Sequence, residues 1–425
     1  MKPSKPLHKS QIGTKRTAPY GRLRMHILLL LLLFAMSSMS ANADGALTRA
    51  EAYTRAEALQ QLGLKLFFDP ALSASGKLAR ATCHDPAHGF TPANAAAVQL
   101  GGKDMQQPGL RAVPSLTYLQ ASPPFTQHFF ESEDEGDSSV DNGPTGGLTW
   151  DGRVGRGRDQ ARLPLLSPFE MANENAEAVV TRARSAGYED AIKAVDKEAD
   201  DPNRAFDVLL AALESFEQSW RDFYPYSSKY DAYLSGRANL TEQEARGLAA
   251  FDDPKKGNCA HCHMSARGND GTPPQFTDYG FVALGLPRNP AIPANADPKF
   301  YDFGLCGPLR TDLAGHPEYC GMFRAPSLRN VAWRKSFFHN GVMHSLRDAV
   351  AFYAERDTRP AKWFPRNADG SLRKYDDLPH KYWKNVNVEP PFGGKPGDPP
   401  PLSESEIDDI VVFLQTVTDG YRIKP

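Results

Sequence analysis

Apolar residues recur at helical spacing in several stretches of this chain, separated by polar connectors rich in proline and glycine. The spacing predicts helices over 49–66, 175–195, 203–219, 344–355 and 405–416, the last of them clearly amphipathic. Thr241 and Glu244 form a capping box that opens one more helix. Residues 225–235 read as a connector, and the acidic, glycine-rich stretch 131–147 as a surface loop with no chemistry of its own. The chain has 35 prolines and 34 glycines, many for a helical protein, so the helices should be short and the loops between them long and ordered. The predicted fold class is all-α.

The N-terminus carries a different pattern. Lys2, Lys5, Lys9, Lys15, Arg16, Arg22 and Arg24 precede the apolar run 27–36, and Ala41-Asn42-Ala43 follows. Basic, then apolar, then small residues predict a secretory signal over 1–43, cleaved after Ala43, and hence a periplasmic protein. The run is too short to span a bilayer comfortably and no later segment is long and apolar enough, so no membrane association is expected after cleavage. The remaining length exceeds a usual single core, which predicts two domains, 44–235 and 236–425. A formal net charge of −2 gives no reason to expect nucleic acid as a partner.

Cys259-Ala260-His261-Cys262-His263 carries the chemistry. Two thiols at this spacing can add to the two vinyl groups of a haem, and the histidine that follows directly can reach the iron, which points to haem c. A zinc site or a reduced thiol pair would need further Cys or His ligands at metal spacing. A second, altered copy lies upstream at Arg80-Ala81-Thr82-Cys83-His84, where arginine stands in the place of the first cysteine. Phe68-Asp69-Pro70 precedes this copy and Phe251-Asp252-Asp253-Pro254 precedes the other, so the haem-binding unit reads as duplicated. Cys83 can still form one thioether and His84 can still offer an axial nitrogen; the alternative is a decayed site without haem. Two such domains would be small cytochrome c-like folds in which the cofactor supplies much of the core. Cys306 and Cys320 remain, and in an oxidising compartment they suit a local disulfide better than two free thiols.

Pro326-Ser327-Leu328-Arg329-Asn330-Val331 followed by Phe337-Phe338-His339-Asn340-Gly341 resembles the C-terminal half of the bacterial dihaem cytochrome c peroxidases and the MauG family. The resemblance covers nearly all of the chain beyond the signal. It implies that Tyr353 occupies the position of the second ligand of the C-terminal haem, a methionine in the peroxidases proper and a tyrosine in MauG-like proteins. Phenolate is a hard anionic donor that stabilises high iron oxidation states, whereas a thioether favours the ferrous state. Trp150, in Trp150-Asp151-Gly152-Arg153, resembles the tryptophan that lies between the two haems and relays single electrons. Gln160, Pro164 and Glu170 fall where the family lines the distal side of the N-terminal haem, with Glu170 as acid and base, Gln160 orienting peroxide, and Pro164 limiting the space. No histidine occurs between His88 and His128, so the blocking histidine of the peroxidases is missing and the N-terminal iron should be open; His88 reads as a loop residue. The family's calcium would lose one ligand, because Ala112 replaces its asparagine, and would keep backbone carbonyls near Arg334 and Ser336.

The expected function is that of a periplasmic dihaem oxidoreductase that reacts with hydrogen peroxide and oxidises an external donor or a residue of a partner protein. Two alternatives stay open: a peroxidase that detoxifies peroxide with a small redox protein as donor, and a non-catalytic electron-transfer cytochrome.

Overall fold

The computed structural model describes residues 47–130 and 140–423, so the signal expected over 1–43 and part of the 131–147 loop lie outside the described residues. Thr54–Pro425 form one compact unit. It is mostly helical, with two short antiparallel ribbons.

The first helix, α1, spans Arg49–Phe68, close to its predicted limits, and buries Leu62, Leu66 and Phe67. A four-residue helix, α2 (Arg80–Cys83), carries the first motif. The first ribbon follows, β1 (Leu100–Gly101) against β2 (Gln107–Pro108), in the register Gly101↔Gln107. Next come α3 (Gly157–Leu166), α4 (Ala176–Ser185), α5 (Glu189–Val195) and α6 (Pro202–Glu217). The helix expected over 175–195 is thus broken in two, because Gly187 adopts φ +89° and ends the first half. Asp201 caps α6 by accepting from Asn203 and Arg204 N–H, and Pro202 fits the first turn, where no N–H partner is needed.

The connector expected over 225–235 is a further correction. After α7 (Trp220–Phe223), it holds α8 (Lys229–Leu234), opened by a Ser228/Asp231 capping box. The capping box of Thr241 and Glu244 opens α9 (Glu242–Asp252) as predicted. Phe281–Val282 (β3) pairs with Phe323–Arg324 (β4). The chain ends in α10 (Leu346–Glu355), α11 (Pro360–Trp363) and α12 (Glu404–Gln415).

Two apolar clusters organise the unit. The first, from Leu62 to Phe223, centres on Phe67, Phe90, Phe216 and Phe223, with Phe90 stacked on Phe223 at a centroid distance of 4.1 Å. Here α1 lies so close to α6 that a Cβ on Gly63 would sit 1.9 Å from the Ala212 carbonyl, which only glycine allows. The second, from Tyr230 to Val417, is built on Phe251, Phe276, Phe352, Ile410 and Phe413, where α9 packs on α12. The clusters are stitched together rather than linked by a tether: the buried Tyr118 hydroxyl donates to both Asp419 oxygens at 2.9 Å, and Ala112 N–H donates to His339 O at 2.7 Å. Cys306 and Cys320 form the expected disulfide.

Candidate haem and catalytic site

The complete motif sits on a one-turn 3-10 helix after α9 and faces a cavity of about 420 Å³. Cys259, Cys262, His263 and Tyr353 all line it, together with Trp150, Phe323 and Leu328. His263 Nδ1 lies 2.9 Å from the Phe276 carbonyl, which can only accept. Nδ1 therefore carries the proton, and Nε2 is left with a free lone pair for a metal. Burial holds His263 below its ordinary pKa, which keeps the imidazole neutral. Burial also pushes both thiols up to about 12, so they are thiols and not thiolates. Tyr353 projects from α10, with its ring stacked on Phe392 at 5.4 Å and tilted against Phe338 at 6.0 Å. Burial, then the nearby Cys262 and Cys259, raise its phenol, and Arg356 opposes them.

The altered motif repeats this construction. His84 Nδ1 lies 3.0 Å from Phe90 O, so again Nε2 is free, and burial with the charge of Arg80 holds the imidazole down to about 3. Burial pushes Cys83 up to about 12, with Glu170 adding and Arg80 opposing. Glu170 leaves α3 through a short turn and is fixed by its backbone, whose carbonyl accepts from Gly102 N–H at 2.8 Å. A Cβ on Gly101 would lie 2.3 Å from Phe169 O, so glycine is what lets β1 come this close. Much of the Glu170 surface is uncovered. Burial raises its pKa; Ser167, Arg80 and Arg153 pull it back. Gln160 accepts from Arg80 Nη2 at 3.1 Å, and Pro164 lies one turn further along α3, its carbonyl holding Met171 N–H at 3.0 Å. The structure thus places Cys83, His84, Gln160 and Glu170 around Arg80, an arginine whose partners the sequence did not reveal.

One segment, 112–118, touches both halves. Leu116 N–H donates to Phe90 O, the carbonyl that also fixes His84, while Pro114, Ser115 and Thr117 line the C-terminal cavity. Trp150 is 8% exposed and donates Nε1–H to Ala112 O at 2.7 Å, so its indole rests on this shared wall. Below it, buried Asp151 pairs with Arg111 at 2.6 Å and Arg153 at 2.8 Å, and Arg111 also clasps Asp302. His88 bonds Asp85 in a turn, the loop position expected of it.

Two arginines, Arg324 buried and Arg334 half-buried, were missed in the sequence. Arg324 and Arg334 both line the cavity, and burial holds each down to about 10. Neither has a carboxylate partner among the described residues. Buried cations without a counter-charge are costly, and they mark where an anionic group belongs. No sequence signal could have singled them out among 49 lysines and arginines.

A family model described as di-haem cytochrome c peroxidase matches residues 57–239. Methylamine utilization protein MauG of Paracoccus denitrificans is 32% identical over 383 residues, 88% of this chain and 91% of that protein. The chain belongs to the di-haem cytochrome c peroxidase/MauG family. Cytochrome c551 peroxidase of Pseudomonas aeruginosa is 29% identical and covers 69% of the chain and 71% of its own length. The diheme peroxidase BthA of Burkholderia thailandensis E264 shares the fold with a TM-score of 0.74 and 39% identity, over 85% of this chain and 86% of that one. The chain is therefore a haem oxidoreductase of the peroxidase type, and the family implies two haem c groups.

The residues present fit them. At the C-terminal site two free thiols, a neutral histidine with Nε2 available and a phenol surround one cavity, and Arg324 and Arg334 offer partners for the haem carboxylates. At the N-terminal site a free thiol and a histidine of the same geometry are present, with Arg80 in the place of the motif's first thiol. Calcium fares worse. Ala112 supplies no side-chain oxygen, its carbonyl already accepts from Trp150, and Arg334 brings a guanidinium to Val113 O at 3.2 Å, where it opposes a second cation. Among the described residues no group of three or more His, Cys, Asp or Glu side chains is arranged to hold a metal.

Proposed function

We propose that the chain is a MauG-like periplasmic oxidoreductase that takes hydrogen peroxide at an open N-terminal haem ligated by His84. Its C-terminal haem would be ligated by His263 and Tyr353, and the domains 44–235 and 236–425 would each hold one. Once bound, the two haems supply the redox chemistry, accepting two oxidising equivalents from peroxide.

The protein's own part lies in proton handling and placement. Glu170 takes the proton from the near peroxide oxygen and returns it to the departing one, a task suited to a carboxyl whose pKa burial has raised above its ordinary value. Gln160 orients the peroxide, and Pro164 limits the room beside it. Trp150 can lose one electron to either side, its indole N–H held by Ala112 O. The final donor would be a small redox protein or an oxidisable residue on a partner. Calcium is assigned no step, although the carbonyls of Arg334 and Ser336 remain the donors expected if one binds.

The observation that supports this reading is that Gln160, Glu170, Cys83 and His84 all lie within reach of Arg80, with Glu170 left uncovered. A pure electron-transfer cytochrome has no use for such a carboxyl. Mass spectrometry of the exported protein tests the premise: two haem additions are expected, one through a single thioether at Cys83. A single addition removes the peroxide site and leaves a monohaem electron carrier.

A further inference from the structure

Where the duplicated motif calls for a cysteine, Arg80 is only 4% exposed, with its guanidinium among the residues of the N-terminal site. Its Nη2 meets Glu217 Oε1 at 2.6 Å and donates to Gln160 Oε1 at 3.1 Å. Its charge is felt at His84, Cys83 and Glu170. Glu217 closes α6 and Gln160 lies on α3, so the arginine ties α2 to both helices. A buried ion pair of this kind adds little stability by itself, since desolvation offsets most of the attraction. It does fix geometry.

The consequence lies at Gln160. A guanidinium has five N–H donors and no acceptor, so the amide atom facing Arg80 must be the carbonyl oxygen. With Oε1 committed to Arg80, the Nε2 amino group is the end left to face the haem-side space. We propose that Arg80, held by Glu217, is a positioning residue that locks Gln160 with its N–H donors toward the iron, so that the N-terminal site favours small anionic ligands, hydroperoxide among them. Released from Arg80, the Gln160 amide could turn over and present its oxygen, which repels an anion. This inference rests on the N-terminal iron being open, as proposed above.

Fluoride is a suitable probe, because it binds ferric haem as an anion, accepts hydrogen bonds, and shifts the high-spin charge-transfer band when it does so. Titrated into the ferric holoprotein, it should bind the N-terminal haem, and Arg80→Gln should weaken it about tenfold, the worth of one charge-assisted hydrogen bond, and move the band. Arg80→Lys should restore part of both effects. Arg80→Cys rebuilds the complete motif, so it tests the loss of the guanidinium in a protein that holds its haem more firmly. Because Arg80 acts through Gln160, Arg80→Gln should add no further loss in a Gln160→Leu background. If fluoride affinity and band position are unchanged in both Arg80→Gln and Arg80→Cys, or if the full loss persists without Gln160, the proposal is overturned. Failure of the unaltered protein to bind fluoride would instead overturn the open-iron reading, and this inference with it.

Discussion

Replacing Glu170 with glutamine keeps the shape and most of the hydrogen bonding of the side chain and removes its capacity to accept a proton. Peroxide cleavage needs the carboxylate first and the carboxylic acid second, and proton transfer by a positioned group contributes about 10²–10⁴-fold in rate. That corresponds to about 3–5 kcal/mol of barrier, at about 1.4 kcal/mol for each factor of ten. Burial raises Glu170, and Ser167, Arg80 and Arg153 only partly offset it, so the fraction present as base falls as the pH drops through a value above the ordinary carboxylate range. The rate of reaction with peroxide should therefore rise with pH through that value in the unaltered protein. In Glu170→Gln it should be lower by the factor above and flat over the same range. Stopped-flow absorbance of the ferric holoprotein measures both. A variant within about threefold of the unaltered rate, with its pH dependence intact, refutes Glu170 as the acid and base.

Tyr353→Phe retains the ring against Phe392 and Phe338 but deletes the oxygen, so the low-spin signal of the C-terminal haem should change while the fold persists. An unchanged electron paramagnetic resonance spectrum dismisses Tyr353 as a ligand. The Cys306–Cys320 disulfide closes a loop with a sequence separation of 14, worth about 3 kcal/mol in chain entropy. A Cys306→Ser, Cys320→Ser double variant should lose about that much in a denaturant titration, and a loss below about 1 kcal/mol would show that the loop is ordered without it.

Features encoded locally were legible in the sequence. The capping box at Thr241, the amphipathic C-terminal helix and the haem motif itself depend on residues a few positions apart, and the box and the helix are found where expected or within a residue or two. The short helix Lys229–Leu234 was hidden because prolines and serines around it read as linker, and its stability comes from Tyr230 and Leu234 packing in the second core. The break between α4 and α5 needed the conformation of Gly187, which periodicity does not report. At the site, the ligand types were visible and their supports were not. Arg80 meets Glu217 across the fold, and Arg324 and Arg334 stand out only once the fold has drawn them from solvent, the first fully and the second in part, without a counter-charge.

One equivalent of hydrogen peroxide added to the fully ferric holoprotein, with no reductant present, tests the central claim most directly. The account predicts an immediate reaction in which the absorption bands of both haems change together and persist, since the equivalents are shared across Trp150. A protein that stays silent until one haem has been reduced would contradict it, because the N-terminal iron would then be closed in the resting state.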